Sequence, residues 1–183
     1  MKFNELRDIH THHPNRNDAL LSLSPEKAMA GYSLPFSLEL HPWQASPALI
    51  EQFRQAAETL QSAPNLLAIG ECGLDNKCGT SLPLQTEAFR EALSAARRLQ
   101  LPVIIHCVGY WAEMMQSVRE VLGPSYPHPI IIHGFRKGPQ LAQQLLKAGF
   151  SISLGQHYNA AVRTLIPEDR LYFETDENPI LHL

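Results

Sequence analysis

The stretch Leu66-Leu67-Ala68-Ile69-Gly70-Glu71-Cys72-Gly73-Leu74-Asp75 decides the fold. A short apolar run bounded by glycine is typical of a buried strand and not of a surface helix. The run ends at Glu71, and a carboxylate at the end of a buried strand is costly unless something neutralises it. Glu71 has either just reached solvent or points at a metal ion, and the glycines beside it predict a sharp turn of the chain. Repetition of this pattern elsewhere would favour the metal ion.

The composition is that of an ordinary globular protein. The 183 residues suffice for one domain with a core, so we predict a single domain over residues 1–183. Hydrophobic residues make up 44% of the chain and charged residues 18%, which excludes a disordered or fibrous protein. The longest apolar runs are five or six residues, so we predict no membrane span.

Charge and cysteine usage narrow the function classes. The net charge of −3 argues against a broad basic surface that holds long nucleic acid tightly, although a local site is compatible with it. The three cysteines form no C-x-x-C pair and no even disulfide set. No apolar segment follows residues 1–5, so we expect no secretory signal. Together these features predict a protein of the reducing cytoplasm.

Strand and helix patterns alternate along most of the chain. Candidate strands cover residues 6–13, 19–23, 35–42, 66–71, 101–106, 129–134, 150–155 and 171–176. Helical spacing covers residues 46–63, 84–100, 111–122, 140–148 and 159–166, and Ser24-Pro25 predicts one further helix start. Alternating strands and helices imply parallel pairing with right-handed crossovers. Eight units predict an α/β fold, a TIM-type (β/α)8 barrel whose site lies at the carboxyl ends of the strands.

The length requires a trimmed version of this barrel. Such barrels usually need about 250 residues. The link from strand one to strand two is too short for a helix, and residues 177–183 after the last strand are too few for the closing helix, so we expect neither helix. We therefore predict either a trimmed barrel or one that a neighbouring subunit completes in a homodimer.

Most of the strand candidates end in a side chain that can bind metal. These side chains are His10, His12, Glu71, His106, His133 and Asp176, and His41 closes a further strand. Period-two alternation in strand one places Asp8, His10 and His12 on one face and Ile9 and Thr11 on the other. A lone histidine at a strand end is more often a satisfied or solvent-facing residue than a ligand.

Several such groups at one rim are a different matter. They would be crowded into a poorly solvated space, where burying several polar groups is unfavourable. One or two bound divalent cations would offset this unfavourable free energy. Mixed nitrogen and oxygen ligands suit zinc, manganese, magnesium, iron or nickel, among which the sequence does not choose.

The motifs together resemble a known family. The motifs are Asp8-Ile9-His10-Thr11-His12, Leu40-His41-Pro42, Ile69-Gly70-Glu71-Cys72-Gly73-Leu74-Asp75, Val103-Ile104-Ile105-His106, Ile132-His133-Gly134-Phe135 and Glu174-Thr175-Asp176. In this order they resemble the TatD-type metal-dependent hydrolases. The resemblance implies a β/α barrel with one to three divalent metals, and many members of that family are described as deoxyribonucleases.

The resemblance also implies a role for each ligand. It assigns His10, His12 and Asp176 to one metal, His106 and His133 to a second, and Glu71 as the bridge between them. A metal-activated water would attack the scissile group, with Asp176 orienting that water or acting as general base, so Glu71 and Asp176 are the predicted catalytic residues. Asp75 is expected to hold the Glu71 turn or to support a neighbouring group.

One departure from the family concerns the substrate. The family usually has an arginine two places after the strand-five histidine, suited to a phosphate oxygen, and Val108 stands there in this chain. Arg136 and Lys137 either replace it or form a solvated turn. With His41 and His157, they complete the predicted substrate contacts.

Three functions remain open at this point. The first is a divalent-metal-dependent hydrolase that cleaves phosphodiester bonds, with DNA as a candidate substrate. The second is a metal-dependent amidohydrolase that acts on a small amide or ester, because the same metals polarise carbonyl groups. The third is a metal-binding protein without turnover, because a trimmed barrel leaves the site open to water.

Overall fold

The computed structural model describes residues 2–14 and 16–178, and its centre is one eight-stranded sheet. The strands are β1 (Asp8–Thr11), β2 (Ala19–Leu23), β3 (Phe36–Leu40), β4 (Leu66–Asp75), β5 (Val103–Val108), β6 (Ile130–Ile132), β7 (Ser151–Leu154) and β8 (Leu171–Phe173). All neighbouring strands pair in parallel and follow one another in chain order. The predicted α/β architecture is confirmed.

Helices connect the strands from β2 onward. They are α1 (Pro25–Met29), α2 (Pro47–Thr59), α3 (Leu82–Leu99), α4 (Trp111–Val121), α5 (Pro139–Lys147) and α6 (Ala160–Arg163). Proline stands in the first turn of α1, α2, α3 and α5, where its missing N–H has no partner within a helix in any case. Ser24 occupies the predicted cap position of α1, without a side-chain bond to the helix.

The sheet closes into a barrel between β1 and the segment after β8. Thr11 and Asp176 form a parallel bridge, the His12 N–H donates to the Asp176 carbonyl at 3.1 Å, and the Asp176 N–H donates to the His10 carbonyl at 3.0 Å. No helix lies in the described part of the link between β1 and β2, as predicted. Residues 174–178 contain no helix, and residues 179–183, which the predicted lack of a closing helix also concerns, lie outside the described part of the chain.

Apolar residues fill the barrel below the strand ends. The inner cluster contains Ile9, Leu20, Ala68, Ile104 and Ile131. In β1, β4, β5 and β6 these residues come one to three positions before a predicted ligand, so the polar groups lie on top of an apolar floor. A larger layer between strands and helices includes Phe36, Phe53 and Phe89, all almost fully buried. Among the described residues, no helix has both the length and the apolar character needed to cross a membrane.

The glycines of β4 do not form the predicted turn. The strand continues beyond Glu71 to Asp75, and Gly73 pairs with His106 of β5. Both Gly70 and Gly73 have positive φ, and a Cβ at either position would overlap the backbone carbonyl of Ile104 or His106. Glycine therefore allows β4 and β5 to approach closely, which the sequence of β4 alone does not reveal.

Candidate metal centre

The predicted ligands meet at one rim of the barrel because parallel strands deliver their carboxyl ends to the same side. His10 lies in β1, Glu71 in β4 and His106 in β5. The others directly follow a strand or lie a few residues beyond one: His12, His41, His133 and Asp176.

Glu71 lies at the centre of this cluster and is only 4% exposed. Its Oε1 atom faces three imidazoles: His133 Nε2 at 2.8 Å, His106 Nδ1 at 2.9 Å and His41 Nε2 at 3.2 Å. His41 was predicted to contact substrate. Its position against Glu71 and His106 also makes it a candidate ligand, because these three residues form one of the groups that could hold a metal ion.

The other oxygen of Glu71 faces a different set of groups. His10 Nε2 lies 3.3 Å and His12 Nε2 lies 3.6 Å from Glu71 Oε2. Asp176 Oδ1 approaches the same two nitrogen atoms, at 3.6 and 3.8 Å. Glu177 Oε1 lies 3.9 Å from His12 Nε2 at the exposed edge.

The donor set fits divalent metal ions. Ligand atoms within 4.8 Å of one another occur in the groups His10–His133–Asp176, His10–His12–Glu71 and His41–Glu71–His106. Among the described residues, both ring nitrogens of His10 are buried without a hydrogen-bond partner. The Nε2 atom lies near carboxylate oxygens, at 3.3 and 3.6 Å, and a metal ion bound to a ring nitrogen would offset the cost of burying this imidazole.

The pKa values of Glu71 and His133 are each shifted by the charge of the other. Burial would raise the pKa of the Glu71 carboxyl, but the charge of His133 and the contacts with His10 and His106 hold it well below its usual range. Burial would lower the pKa of His133, but the charges of Glu71 and Glu174 raise it well above its usual value. Without metal, a proton on the His133 imidazole therefore offsets the negative charge of the buried Glu71 carboxylate. A divalent cation would take over this role.

The Oε2 side shows the same balance of charges. Burial and the charge of His133 would lower the pKa of His10, yet contacts with Asp176 and Glu71 raise it to about 9. Burial would raise the pKa of Asp176, yet the contact with His10 lowers it to about 2. Asp176 is therefore ionised near neutral pH, as a metal ligand must be.

A second carboxylate supports the imidazole of His106. Asp75 Oδ2 lies 3.0 Å from His106 Nε2 and accepts a hydrogen bond from Trp43 Nε1 at 2.7 Å. Burial would raise the pKa of Asp75, but the bonds from Trp43 and His106 hold it below its usual value. Such a carboxylate fixes the ring orientation and tautomer, so His106 presents Nδ1 to Glu71. Asp75 thus supports a neighbouring group, one of its two predicted roles.

Glu174 holds the equivalent position behind His133, a role that the sequence analysis did not predict. Its Oε1 atom lies 3.4 Å from His133 Nδ1 and accepts a hydrogen bond from the Gly134 N–H at 2.6 Å. Glu174 is fully buried. Its position two residues before Asp176 shows only that it lies near the rim, not which histidine it meets.

Asp8 does not join the histidines of its strand, so the predicted alternation is wrong at this position. Its carboxylate accepts hydrogen bonds from Arg16 Nη1 at 2.6 Å, Thr175 Oγ1 at 2.8 Å and the Thr175 N–H at 3.1 Å. The register of β1 is irregular between Asp8 and Thr11, and the closing of the barrel brings Thr175 alongside. Asp8 therefore ties the seam between β1 and β8.

A cavity of about 520 Å³ opens above the cluster. Exposed Lys77, Arg136 and Lys137 line it, together with Trp43 and Trp111. The positions of Arg136 and Lys137 are compatible with their predicted substrate contacts. The position of His157 gives no such support, because it is exposed and is not among the residues that line this cavity.

Comparison with known sequences finds relatives. The family model described as TatD related DNase matches residues 11–182. A protein of Musicola paradisiaca named 3'-5' ssDNA/RNA exonuclease TatD is 33% identical over 146 residues, which cover 75% of this chain and 54% of that protein. The protein of that name from Erwinia amylovora is 34% identical over 152 residues, covering 75% and 55%. The chain thus spans about half the length of the curated relatives it matches.

Solved structures share the fold. YJJV, a TatD homologue from Escherichia coli K12, superposes with a TM-score of 0.71 at 21% identity, covering 93% of this chain and 78% of that chain. A TatD family hydrolase from Entamoeba histolytica superposes with a TM-score of 0.72 at 17% identity, covering 93% and 73%. At these identities the likeness concerns the barrel alone.

Proposed function

This chain belongs to the family of TatD-related DNases, and we propose that it is a divalent-metal-dependent hydrolase of phosphodiester bonds in single-stranded nucleic acid. The position of Glu71 is the main support for this proposal, because its two oxygens face two separate sets of imidazoles. A carboxylate can bridge two ions in this way, whereas one imidazole nitrogen binds one ion. The relatives are named as exonucleases of single-stranded DNA and RNA, and these names support single-stranded nucleic acid as the substrate.

We assign two metal positions. His10, His12 and Asp176 would hold one ion with Glu71 Oε2, and His41, His106 and His133 would hold the other with Glu71 Oε1. Zinc, manganese, magnesium, iron and nickel all remain candidates. Such ions supply an activated water and neutralise the charge that develops on the phosphate. Asp176 reaches the cavity and would accept a hydrogen bond from the attacking water, which orients it.

The cationic side chains of the cavity would hold the substrate phosphate. Val108 offers no charge where the family usually has an arginine. Arg136 and Lys137 follow His133 directly and line the same cavity as Lys77, so they would supply this contact from a different loop. The phosphate would therefore be contacted from the loop after β6 and not from β5, and the predicted metal ligands are unaffected by this difference.

We further propose one hydrolase domain over residues 1–183 and a cytoplasmic location. The single eight-stranded sheet supports one domain, and the cysteines Cys72, Cys78 and Cys107, all free, support a reducing compartment. Light scattering of the purified protein tests the homodimer that the sequence left open as the alternative to a trimmed barrel, and a monomer would refute it.

The decisive experiment is Glu71→Gln, with Glu58→Gln on an exposed face of α2 as the matched control. Metal content is measured in protein purified without chelator, and hydrolysis is followed on a labelled single-stranded oligonucleotide with manganese, zinc or magnesium. We expect Glu71→Gln to lose bound metal and at least about 1000-fold in rate, because it removes the bridge. The control should match the wild type.

Three outcomes would count against the proposal. A folded Glu71→Gln variant with wild-type metal content and rate would remove the bridge assignment. Wild-type protein that binds metal but cleaves only small amides or esters would favour the amidohydrolase. Bound metal without turnover on any substrate would favour a metal-binding protein.

A further inference from the structure

Trp43 is a large apolar side chain that the structure leaves in solvent. It follows His41 and Pro42 in the 3₁₀ turn Pro42–Gln44 after β3, and it is 60% exposed. It also lines the cavity above Glu71. The other large exposed apolar residues among those described, Met29 and Leu165, do not line this cavity. Scattered exposed apolar residues need no explanation, but one at the mouth of a reactive site does.

The indole ring is held in one orientation. Its Nε1 donates to Asp75 Oδ2 at 2.7 Å, and Asp75 is 2% exposed. The Trp43 backbone N–H donates to His41 Nδ1 at 3.3 Å, and the two rings meet nearly edge-on at 5.7 Å. A flat apolar surface that is fixed before binding loses little side-chain entropy when a ligand packs on it.

The surroundings indicate what would pack there. The carboxylate that anchors Trp43 also contacts His106, so the ring lies one residue away from the candidate metal ligands. Cationic Lys77, Arg136 and Lys137 line the same cavity and suit a phosphate. A planar group joined to a phosphodiester matches both features, and nucleobases of every type stack on exposed aromatic rings.

We propose that Trp43 is the platform on which the base beside the scissile phosphodiester stacks. This inference rests on the proposed function and adds a specificity element to it. A base inside a duplex already stacks on both neighbours, so the platform selects an unpaired nucleotide. It also distinguishes a nucleic acid strand from a phosphodiester that carries no base. Trp43 thus determines specificity, while the cluster around Glu71 performs the chemistry.

The test compares two substrates in wild-type protein and in variants. The substrates are a short single-stranded oligothymidylate and a strand of the same length whose sugars carry no bases. We expect kcat/KM of the wild type to favour the base-bearing strand by about ten-fold, the contribution of one stacked base. Trp43→Ala should abolish this preference. Trp43→Phe should retain most of it, because it keeps the ring and loses only the N–H. Trp111→Phe, at the second tryptophan of the cavity, is the control and should also retain it.

Binding without turnover gives a second measurement. The chain has two tryptophans, so Trp43 is the only one left in the Trp111→Phe variant. With metal removed by a chelator, we expect the base-bearing strand to quench its fluorescence and the baseless strand to leave it unchanged. Equal quenching by both strands, no quenching by either, or an unchanged preference in Trp43→Ala would overturn the role of Trp43. Quenching by the base-bearing strand alone, with no hydrolysis of any strand, would instead overturn the proposed function and leave the platform standing.

Discussion

The two oxygens of Glu71 lie in different surroundings. On the Oε1 side, His41, His106 and His133 approach within 2.8 to 3.2 Å. Asp75 and Glu174 stand behind two of these rings. On the Oε2 side, two histidines lie at 3.3 and 3.6 Å, and among the described residues neither ring nitrogen of His10 has a hydrogen-bond partner.

The difference follows from the construction of the barrel. The Oε1 side is built by β3, β4, β5 and β6, which helices connect and which pack on a continuous apolar layer. The Oε2 side lies at the seam between β1 and the segment after β8. The described part of the link from β1 to β2 contains no helix, and the Asp8 carboxylate bonds Thr175 across the seam. Rings already in position reorganise less on binding, so we expect the Oε1 side to bind metal more tightly.

Removing one predicted ligand from each side of Glu71 should have the largest effect and tests whether the two sides differ in metal affinity. His106 and His12 form a matched pair because both side chains are partly exposed, 17% and 29%. We expect either alanine substitution to lower hydrolysis by about 1000-fold, since both ions take part in the proposed reaction. Metal analysis after dialysis should find a tightly bound ion in His12→Ala and none in His106→Ala. Equal retention in the two variants would show that the sides do not differ.

A smaller effect tests the close approach of β4 and β5 that shapes the Oε1 side. Gly73→Ala places a Cβ against the His106 carbonyl at positive φ, and we expect a loss of about 3 kcal/mol in unfolding free energy. The control is Gly31→Ala, also at positive φ but with open space around the new methyl group. It should cost only about 1 kcal/mol, the conformational part alone. Urea denaturation measures both, and similar losses would mean that no overlap occurs.

The smallest effect concerns the support behind His106. Asp75→Asn keeps an acceptor for Trp43 but removes the charge that fixes the imidazole. We expect metal affinity to fall by about 10- to 100-fold, as measured by calorimetric titration. Asp18→Asn is the control, a carboxylate at the seam that is 41% exposed and bonds Arg16. If both variants bind metal equally well, the support by Asp75 has no energetic consequence.

Much of the fold could be predicted from local patterns. Residues of β2 read as a short apolar run, and α4 shows the 3.6-residue spacing of an amphipathic helix, because each element buries one face. The ends of elements were less certain. Helix α6 covers Ala160–Arg163, shorter than its pattern, and β8 ends at Phe173 although the candidate strand extends to Asp176. Hydrogen bonding to a neighbouring strand, not the pattern, decides where a strand ends.

The roles of single residues were harder to predict than their presence. The expected turn at Gly73 is a close strand contact, because the residue that needs the space, His106, belongs to another strand. His41 proved to be part of the cluster because β3 lies beside β4. Trp43 gave no sequence signal, since its partner Asp75 is 32 residues away in the chain.

The sequence by itself determined which types of side chain lie at the rim of the barrel. Parallel strands place their ends together whatever the details of packing, so the residue types at those ends predict a metal site. Only the tertiary structure decided which oxygen of Glu71 each imidazole faces, and which carboxylate stands behind it. Those relations depend on strand register and on closure of the barrel, which brings Asp8 into contact with Thr175 across 167 positions of sequence. No local pattern records a contact between residues so far apart.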